Sequence, residues 1–375
     1  MERFAACFSE LEDPRRPNAR HNLHEILLIA LCTLLCGGED CSDMALFGRA
    51  KEPFLRQFLT LEHGIPSHDT FSRVFRLLDP RRFHACFLAF MADFAKAAQG
   101  VVAVDGKTLR RSFDRASEQS ALHLVSAWAS DARLMLGQVA TEAKSNEITA
   151  VPKLLEMLCL KDTIVTADAM NCQRTIATKV IEQGGDYALA LKGNQAGLHE
   201  DVRLFLDDPA HADDLRHARE VDADHGRIET RDAYVHADIG WLQQRHNWPG
   251  LAAIGKLVRT RETKSAAGKG EVSQETAYYL LSTALSPERF GEVVRAHWGI
   301  ENSLHWVLDV TLNEDANRSR KDNGPENLAL LRRWTINACK LEGSKGSIKG
   351  KLKRAGWEDS FLARLLLQNP QGQMR

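Results

Sequence analysis

The chain has 375 residues, 44% of them hydrophobic and 26% charged, with a formal net charge of −1. This is an ordinary globular mixture, long enough for two or three modest domains and a large core, and its global charge does not announce a polyanionic partner. The longest apolar run, residues 26–36, is too short to cross a bilayer, and Met1–Glu10 has neither the basic start nor the apolar stretch of a signal peptide, so no membrane association is expected. Charge is nevertheless uneven. Residues 331–375 carry ten Lys/Arg against three Asp/Glu, and residues 199–235 carry eleven Asp/Glu against five Lys/Arg. Opposite-signed surfaces are expected, and the basic one could meet phosphate. The eight cysteines include no Cys-x-x-Cys pair. A zinc site or disulfide framework is not expected, Cys32 and Cys36 read as small core residues, and a reducing cytoplasm fits.

Residues 1–95 read as a helical domain. A helix from Leu23 runs to Cys36 and stops at Gly37-Gly38. A second spans Cys41 to Leu61. The stretch "GIPSHDTFSRVFRLLDP" then offers Ser67 as a cap, Phe71, Val74, Phe75 and Leu78 at helical spacing, and Asp79-Pro80 as a stop. Two helices joined by a Gly-Ile-Pro turn could be a helix-turn-helix reader of DNA ends or two members of a packed bundle. From residue 100 the period changes. Short β-rich runs at 101–105, 122–127 and 134–140 are close enough to form an antiparallel meander. A helix at 147–159, with Pro152 near its start, leads to the run Thr163–Asp168. A helix at about 173–183 leads through Gly184-Gly185 to the strand Tyr187–Leu191. Strands reached by helical crossovers should lie parallel in the same sheet. Residues 96–198 are therefore expected to form the first part of an α/β mixed-sheet core. Residues 199–290, with "HGRIETRDAYV", "LAAIGKLVRTRE" and "TAYYLLST", read as an inserted, mainly β subdomain. Residues 291–375 return to helix and end in a basic helical tail with a Lys/Gly-rich link at 343–353.

The chemistry gathers at strand ends. The run Val101–Val104 ends in Asp105, and Thr163–Ala167 ends in Asp168. Two carboxylates at adjacent strand tips repel unless a cation neutralises them or one takes a proton. Hard oxygen donors suit Mg2+, with Mn2+ as a substitute, and a third acid is normally needed. Glu301 is the best candidate. It lies on a helix with His297 and His305, which at i−4 and i+4 share its face. Two metals about 3.5–4 Å apart would activate an attacking oxygen and stabilise a leaving one in phosphoryl transfer. Lys107, Arg110 and Arg111 follow Asp105 directly and would hold a polyanion against it. Lys349, Lys351, Lys353 and Arg354 cluster in the tail, and Lys192, Arg295 and His297 are further candidate DNA contacts. The two histidines lack a further nitrogen or sulfur ligand at zinc spacing. Asp309, Glu314 and Asp315 are rival acids, read as a solvated face or caps.

Together "VDGKTLRRS", "ALHLVSAWAS", "KSNEITAVPKLL", "DAMNCQ", "DYALALKGNQ", "HWGIENSLHWVLDVTLNEDANRSR" and "NLALLRRWTINACK" resemble, in order, the insertion-sequence transposases of the ISAs group, also known as H-repeat-associated proteins of Rhs elements. The resemblance runs over nearly the whole chain. It implies an RNase H-like catalytic core of the DDE class, with Asp105, Asp168 and Glu301 as catalytic and metal-binding triad. It also implies strand cleavage and strand transfer on double-stranded DNA, at terminal inverted repeats and target sites, by a homodimer assembled on DNA in the bacterial cytoplasm and nucleoid. One departure stands out. Wider relatives place a tyrosine, an arginine and a lysine around the glutamate where this chain has Val294, His297 and Leu308. Phosphate contacts must be made differently there, or by Arg318 and Arg320 downstream. Two other readings are a DNA-binding protein with an idle core, acting in regulation or recombination, and an RNase H-like nuclease that cuts without joining. Cleavage of an element end separates the first reading from the idle core, and a strand-transfer product separates it from the nuclease.

Overall fold

The computed structural model describes residues 6–95, 100–113, 120–141, 147–224, 227–263 and 271–366. The residues just past the expected 95/96 boundary and the end of the basic tail, 367–375, lie outside the described residues.

Helix α1 (Leu23–Leu35) starts where the Asn22 side chain accepts the backbone N–H groups of His24 and Glu25. It is buried almost all round, which places it inside a helical layer and not on its surface. Helix α2 (Cys41–Ala50) is capped by Asp40. It stops short of the expected Leu61 because Pro53 follows; a proline there would strip a continuous helix of an N–H and clash with the preceding turn. The chain instead makes a separate short turn, Glu52–Leu55. Helix α3 (His68–Leu77) is capped by Ser67, and helix α4 (Pro80–Ala95) begins at the proline that ends it. Residues 51–67 separate α2 from α3, far more than the three- or four-residue turn of a helix-turn-helix. Phe71, Val74 and Phe75 of α3 are buried, and Arg76 is paired with Asp322 at 2.7 Å, so this face serves packing, while Arg73 remains exposed.

The sheet has nine strands: β1 (Gly100–Thr108), β2 (His123–Ala129), β3 (Leu134–Ala140), β4 (Thr163–Ala167), β5 (Asp186–Leu191), β6 (Arg216–Asp224), β7 (Arg227–His236), β8 (Ala253–Thr263) and β9 (Glu271–Leu281), in the order β3-β2-β1-β4-β5-β9-β8-β7-β6. The first three form the expected antiparallel meander, and β4 and β5 add parallel to β1. Helices α5 (Glu147–Glu156) and α6 (Arg174–Glu182) make the crossovers, and α7 (Ala196–Asp207) follows β5. Pro152 sits inside α5, past its first turn. The 199–290 segment carries four strands, but they form no sheet of their own: β9 pairs antiparallel with β5, so β6–β9 extend the central sheet.

Period-two alternation sorts β1 onto two cores. Val102 and Val104 pack with Leu154, Ile176, Val180 and Val202 of α5, α6 and α7. Val101 and Ala103 face the other side, where α8 (Pro287–His297) packs against β7, β1 and β4. After α8 the chain passes through one widened helical turn, Glu301–His305, into α9 (Trp306–Val310). Helix α10 (Gly324–Leu341) packs on β3, α1, α3 and α4, and α11 (Ile348–Trp357) and α12 (Asp359–Leu366) pack on α1. One apolar core thus runs from Phe8 to Leu365, so the N-terminal and C-terminal helices form a single layer over the sheet. No helix among the described residues is long and apolar enough to cross a membrane.

Glu326, in the first turn of α10, has its carboxyl pushed up to about 7 by burial, with the Asp79 charge adding to the effect. Below the ordinary value of 4.5 the group is protonated in folded and unfolded chains alike. As pH rises from there towards 7, the unfolded chain loses a proton that the folded one keeps, and stability falls. Glu326→Gln is therefore expected to raise stability at pH 8 by about 1–3 kcal/mol and to leave it unchanged near pH 4. Thermal unfolding at the two pH values checks this; an equal shift at both would disconnect the effect from ionisation.

Candidate active site

Asp105 follows Val101 and Ala103 on the same face of β1, so the strand aims it at the helix that carries Glu301. Gly106 behind it is required by close approach: a Cβ there would lie 2.2 Å from Oε1 of Glu147 and 2.5 Å from Nε2 of His123. Glu301 begins the widened turn in which the Trp306 N–H reaches back five residues to the Glu301 carbonyl. Such single π-turns recur at functional sites. His305, at the other end of the turn, is 4% exposed. Its Nδ1 lies 3.6 Å from Oδ2 of Asp105 and 3.5 Å from Oε2 of Glu301. Donor atoms of Asp105, Glu301 and His305 all fall within 4.8 Å of one another. Burial pushes the Asp105 carboxyl up to about 7, and the nearby charges of Glu301, Glu147 and Asp168 push in the same direction. Three donors drawn from β1 and the π-turn, with carboxylates that repel without a cation between them, form a donor set that fits a divalent ion.

Asp168 stands at the end of β4, the parallel neighbour of β1, and its charge is felt at Asp105. It is not part of the tight trio. Its Oδ1 accepts hydrogen bonds from the backbone N–H and the side-chain amide of Asn171, at 3.1 and 2.9 Å. The same amide donates to Oε2 of Glu147 at 2.7 Å, and Oε1 of Glu147 lies 2.8 Å from Nε2 of His123. Burial would raise the Glu147 carboxyl, but the hydrogen bonds from His123 and Asn171 hold it below its ordinary value. A buried fourth acid with two hydrogen-bonding partners thus backs the site. Glu147 and Asn171 lie inside the motifs "KSNEITAVPKLL" and "DAMNCQ", but nothing in those strings assigns them a role. Their only signal is spatial, an acid at the first position of a crossover helix.

The candidate DNA contacts divide sharply. Lys107, two residues past Asp105 on the same face, does not reach solvent: it is 8% exposed, with Nζ 2.7 Å from Asp309, 3.0 Å from Asp315 and 3.7 Å from Glu314. Those three acids are therefore not a solvated face. They grip Lys107, and fully buried Glu314 also pairs with fully buried Arg333 at 2.7 Å. Arg295 is tied to Glu220 and, at 2.9 Å, to Asp222. His297 shares a 3.0 Å hydrogen bond with Thr166. Lys351 is buried against Glu342 and the Cys339 carbonyl, and Arg354 pairs with Glu358 at 2.8 Å. These five are held by partners within the chain, although Arg295 and Arg354 remain exposed. Arg110 is exposed and lies 3.2 Å from Asp315. Arg111, Lys192, Arg318, Lys349 and Lys353 are exposed, and Arg320 is half-buried. Arg320 donates to the Arg111 carbonyl and lies over the Phe113 ring, which joins the 110–111 and 318–320 segments into one basic edge. Lys349 and Lys353 sit on α11 in the helical layer. Sequence reasoning missed a groove beside Glu301. It has a volume of about 670 Å3 and is lined by Arg227, Arg231, Arg259 and Arg261 from β7 and β8, by Glu229 and Glu275, and by Arg295, Trp298 and Asn302. Its charges are mixed: Arg231 and Arg261 pair with Glu229 at 2.5 and 3.5 Å and Arg259 pairs with Glu275, while Arg227 is exposed. Alternating arginines in two neighbouring strands were its available signal.

A family model for the transposase DDE domain matches residues 96–338, and one for the segment associated with that domain matches residues 5–91. The chain is 37% identical to the H repeat-associated putative transposase YhhI of Escherichia coli strain K12, over 92% of each chain. It is 46% identical to a protein of the dhlA 3' region of Xanthobacter autotrophicus, over 75% of this chain and 94% of that one. A shorter match, 43% over 54 residues, joins 14% of this chain to 64% of the inactive transposase YbfQ of Escherichia coli strain K12. The chain belongs to the DDE transposase family.

Proposed function

We propose that the protein cuts and joins DNA strands at the ends of an insertion sequence, using an RNase H-like core whose acids are Asp105, Asp168 and Glu301. The observation that carries this reading is the convergence of Asp105 and Glu301 with His305, from a central strand and a distant helix, beside Asp168 on the adjacent parallel strand. Mg2+ or Mn2+ bound there would neutralise the carboxylates, activate the attacking oxygen and stabilise the leaving one. Asp105 and Glu301 would hold the ion. Asp168 would complete the set from the side, oriented by Asn171 and Glu147. Lys107 ties the end of β1 to the segment after Glu301.

Double-stranded DNA carrying terminal repeats is the substrate in this reading, bound by a homodimer in the bacterial cytoplasm. Arg111, Arg318 and Arg320 would carry one flank of the backbone, and Arg227 at the groove beside Trp298 the other. Contacts of this kind set affinity and not sequence choice. Arg318→Ala with Arg320→Ala is expected to weaken specific and random duplexes alike and to reduce the log–log salt slope by about 0.9 for each phosphate left without its arginine. Affinities at several salt concentrations check this, and an unchanged slope removes that edge from the DNA path. The function itself is tested with labelled inverted-repeat ends. Mg2+-dependent nicking together with a strand-transfer product is expected. Nicking without joining would instead identify a nuclease, and binding without nicking an idle core.

A further inference from the structure

His305 is a buried imidazole whose position the protein's own hydrogen bonds do not explain. Its Nε2 has no hydrogen-bond partner among the described residues. Its Nδ1 is 3.5 Å from one carboxylate oxygen and 3.6 Å from another, beyond the 2.7–3.2 Å of a good N–H···O bond. Buried polar side chains are normally satisfied, yet among the described residues Nε2 has no partner and Nδ1 has only long contacts to the two carboxylates. The ring is nonetheless aimed, through Nδ1, at the point where Asp105 and Glu301 meet. The two gaps are nearly equal, and they suit donors around a shared ion better than donors bonded to each other: metal–ligand distances of about 2.0–2.2 Å place neighbouring ligand atoms roughly 3 Å or a little more apart. Asp168, by contrast, has an oxygen engaged by Asn171.

We infer that His305 is itself a ligand of the metal centre, adding an imidazole nitrogen to the carboxylates of Asp105 and Glu301. This rests on the metal-dependent reading above and deepens it, because a nitrogen donor changes which ion the site prefers. A nitrogen donor is accepted more readily by a first-row transition ion, Mn2+ included, than by Mg2+, which is held by oxygen. The chain is thus expected to bind Mn2+ more tightly than an all-carboxylate site would, with a smaller gain for Mg2+.

The test is pulsed electron paramagnetic resonance on the full chain loaded with Mn2+, with titrations of Mn2+ and Mg2+ alongside. Wild type is expected to show the coupling of one directly bound nitrogen. His297→Gln, which alters the neighbouring histidine, should keep that coupling. His305→Gln should lose it and bind Mn2+ about tenfold more weakly or worse, with a clearly smaller loss for Mg2+. Bound Mn2+ with oxygen ligands alone in the wild type, or a coupling that survives in His305→Gln, overturns the assignment. Wild type that binds no Mn2+ at all overturns the metal-dependent reading as well, so the two failures look different. The wild-type spectrum decides the matter even if His305→Gln fails to fold.

Discussion

Asp105→Asn and Glu301→Gln are each expected to lower metal-dependent cleavage by about 10^3-fold or more, while DNA affinity changes little. Each replaces an anionic oxygen donor by a neutral amide of nearly the same shape. The cut falls on metal binding and on charge balance in the transition state, not on the fold. Asp105→Asn carries a second signature. Burial holds the Asp105 carboxyl at about 7 in the metal-free chain, against an ordinary value of 3.8, so ionising it costs folding free energy as pH rises through that range. The amide has no such cost. In chelator at pH 8 the Asn variant is therefore expected to melt a few degrees above wild type, and near pH 3.5 at the same temperature. A variant that is dead yet more stable is what a strained catalytic carboxylate should produce. If Asp105→Asn cleaves at a wild-type rate in Mg2+, Asp105 leaves the catalytic set. If it melts lower at pH 8, the cost assigned to ionising the buried Asp105 carboxyl is not there.

Much of this was legible in the chain. The meander, the two parallel strands and the placement of Asp168 at a strand end followed from short β-rich runs joined by helix-length crossovers, since connection length dictates strand direction. Asp105, expected at a strand tip, lies inside β1, which pairs with β2 as far as Thr108; it is at an end only relative to β4, whose pairing stops at Val104. What was not legible depended on distant partners. Lys107 reads as a phosphate contact because it stands beside two arginines, and only the fold brings Asp309, Glu314 and Asp315 to it from some 200 residues away. Lys351 and Arg295 mislead for the same reason: a charge counts as free until its partner is placed. The strands β6–β9 were visible as strands, but whether they pair with β5 or with one another alone is a question of edge availability, which no local pattern encodes. The long α2 failed at Pro53 on a local rule that had been available.

Arg333→Met is expected to destabilise the chain by about 3–5 kcal/mol. Arg333 and Glu314 are both fully buried and bonded at 2.7 Å, and Arg333 also donates to the Ala329 carbonyl. Removing the cation leaves the Glu314 carboxylate in the interior with only the charges of Arg332 and of Lys107, the latter at 3.7 Å and already shared with Asp309 and Asp315. Burial alone would raise the Glu314 carboxyl, and the Arg333 and Arg332 charges hold it below its ordinary value. The double variant Arg333→Met with Glu314→Gln should recover a large part of the loss, since most of it is the cost of an unpaired buried charge and not of a missing attraction. Urea unfolding of the two single variants and the double gives the coupling directly. The outcome bears on catalysis because the same network holds Lys107, and Lys107 holds the tip of β1 against the segment that follows Glu301. A strong coupling, with reduced cleavage in Arg333→Met under conditions where it remains folded, would mean that the separation of Asp105 and Glu301 is set by charge. A coupling below about 0.5 kcal/mol would instead assign that task to the buried Leu304 and Leu308 on the turn and helix after Glu301.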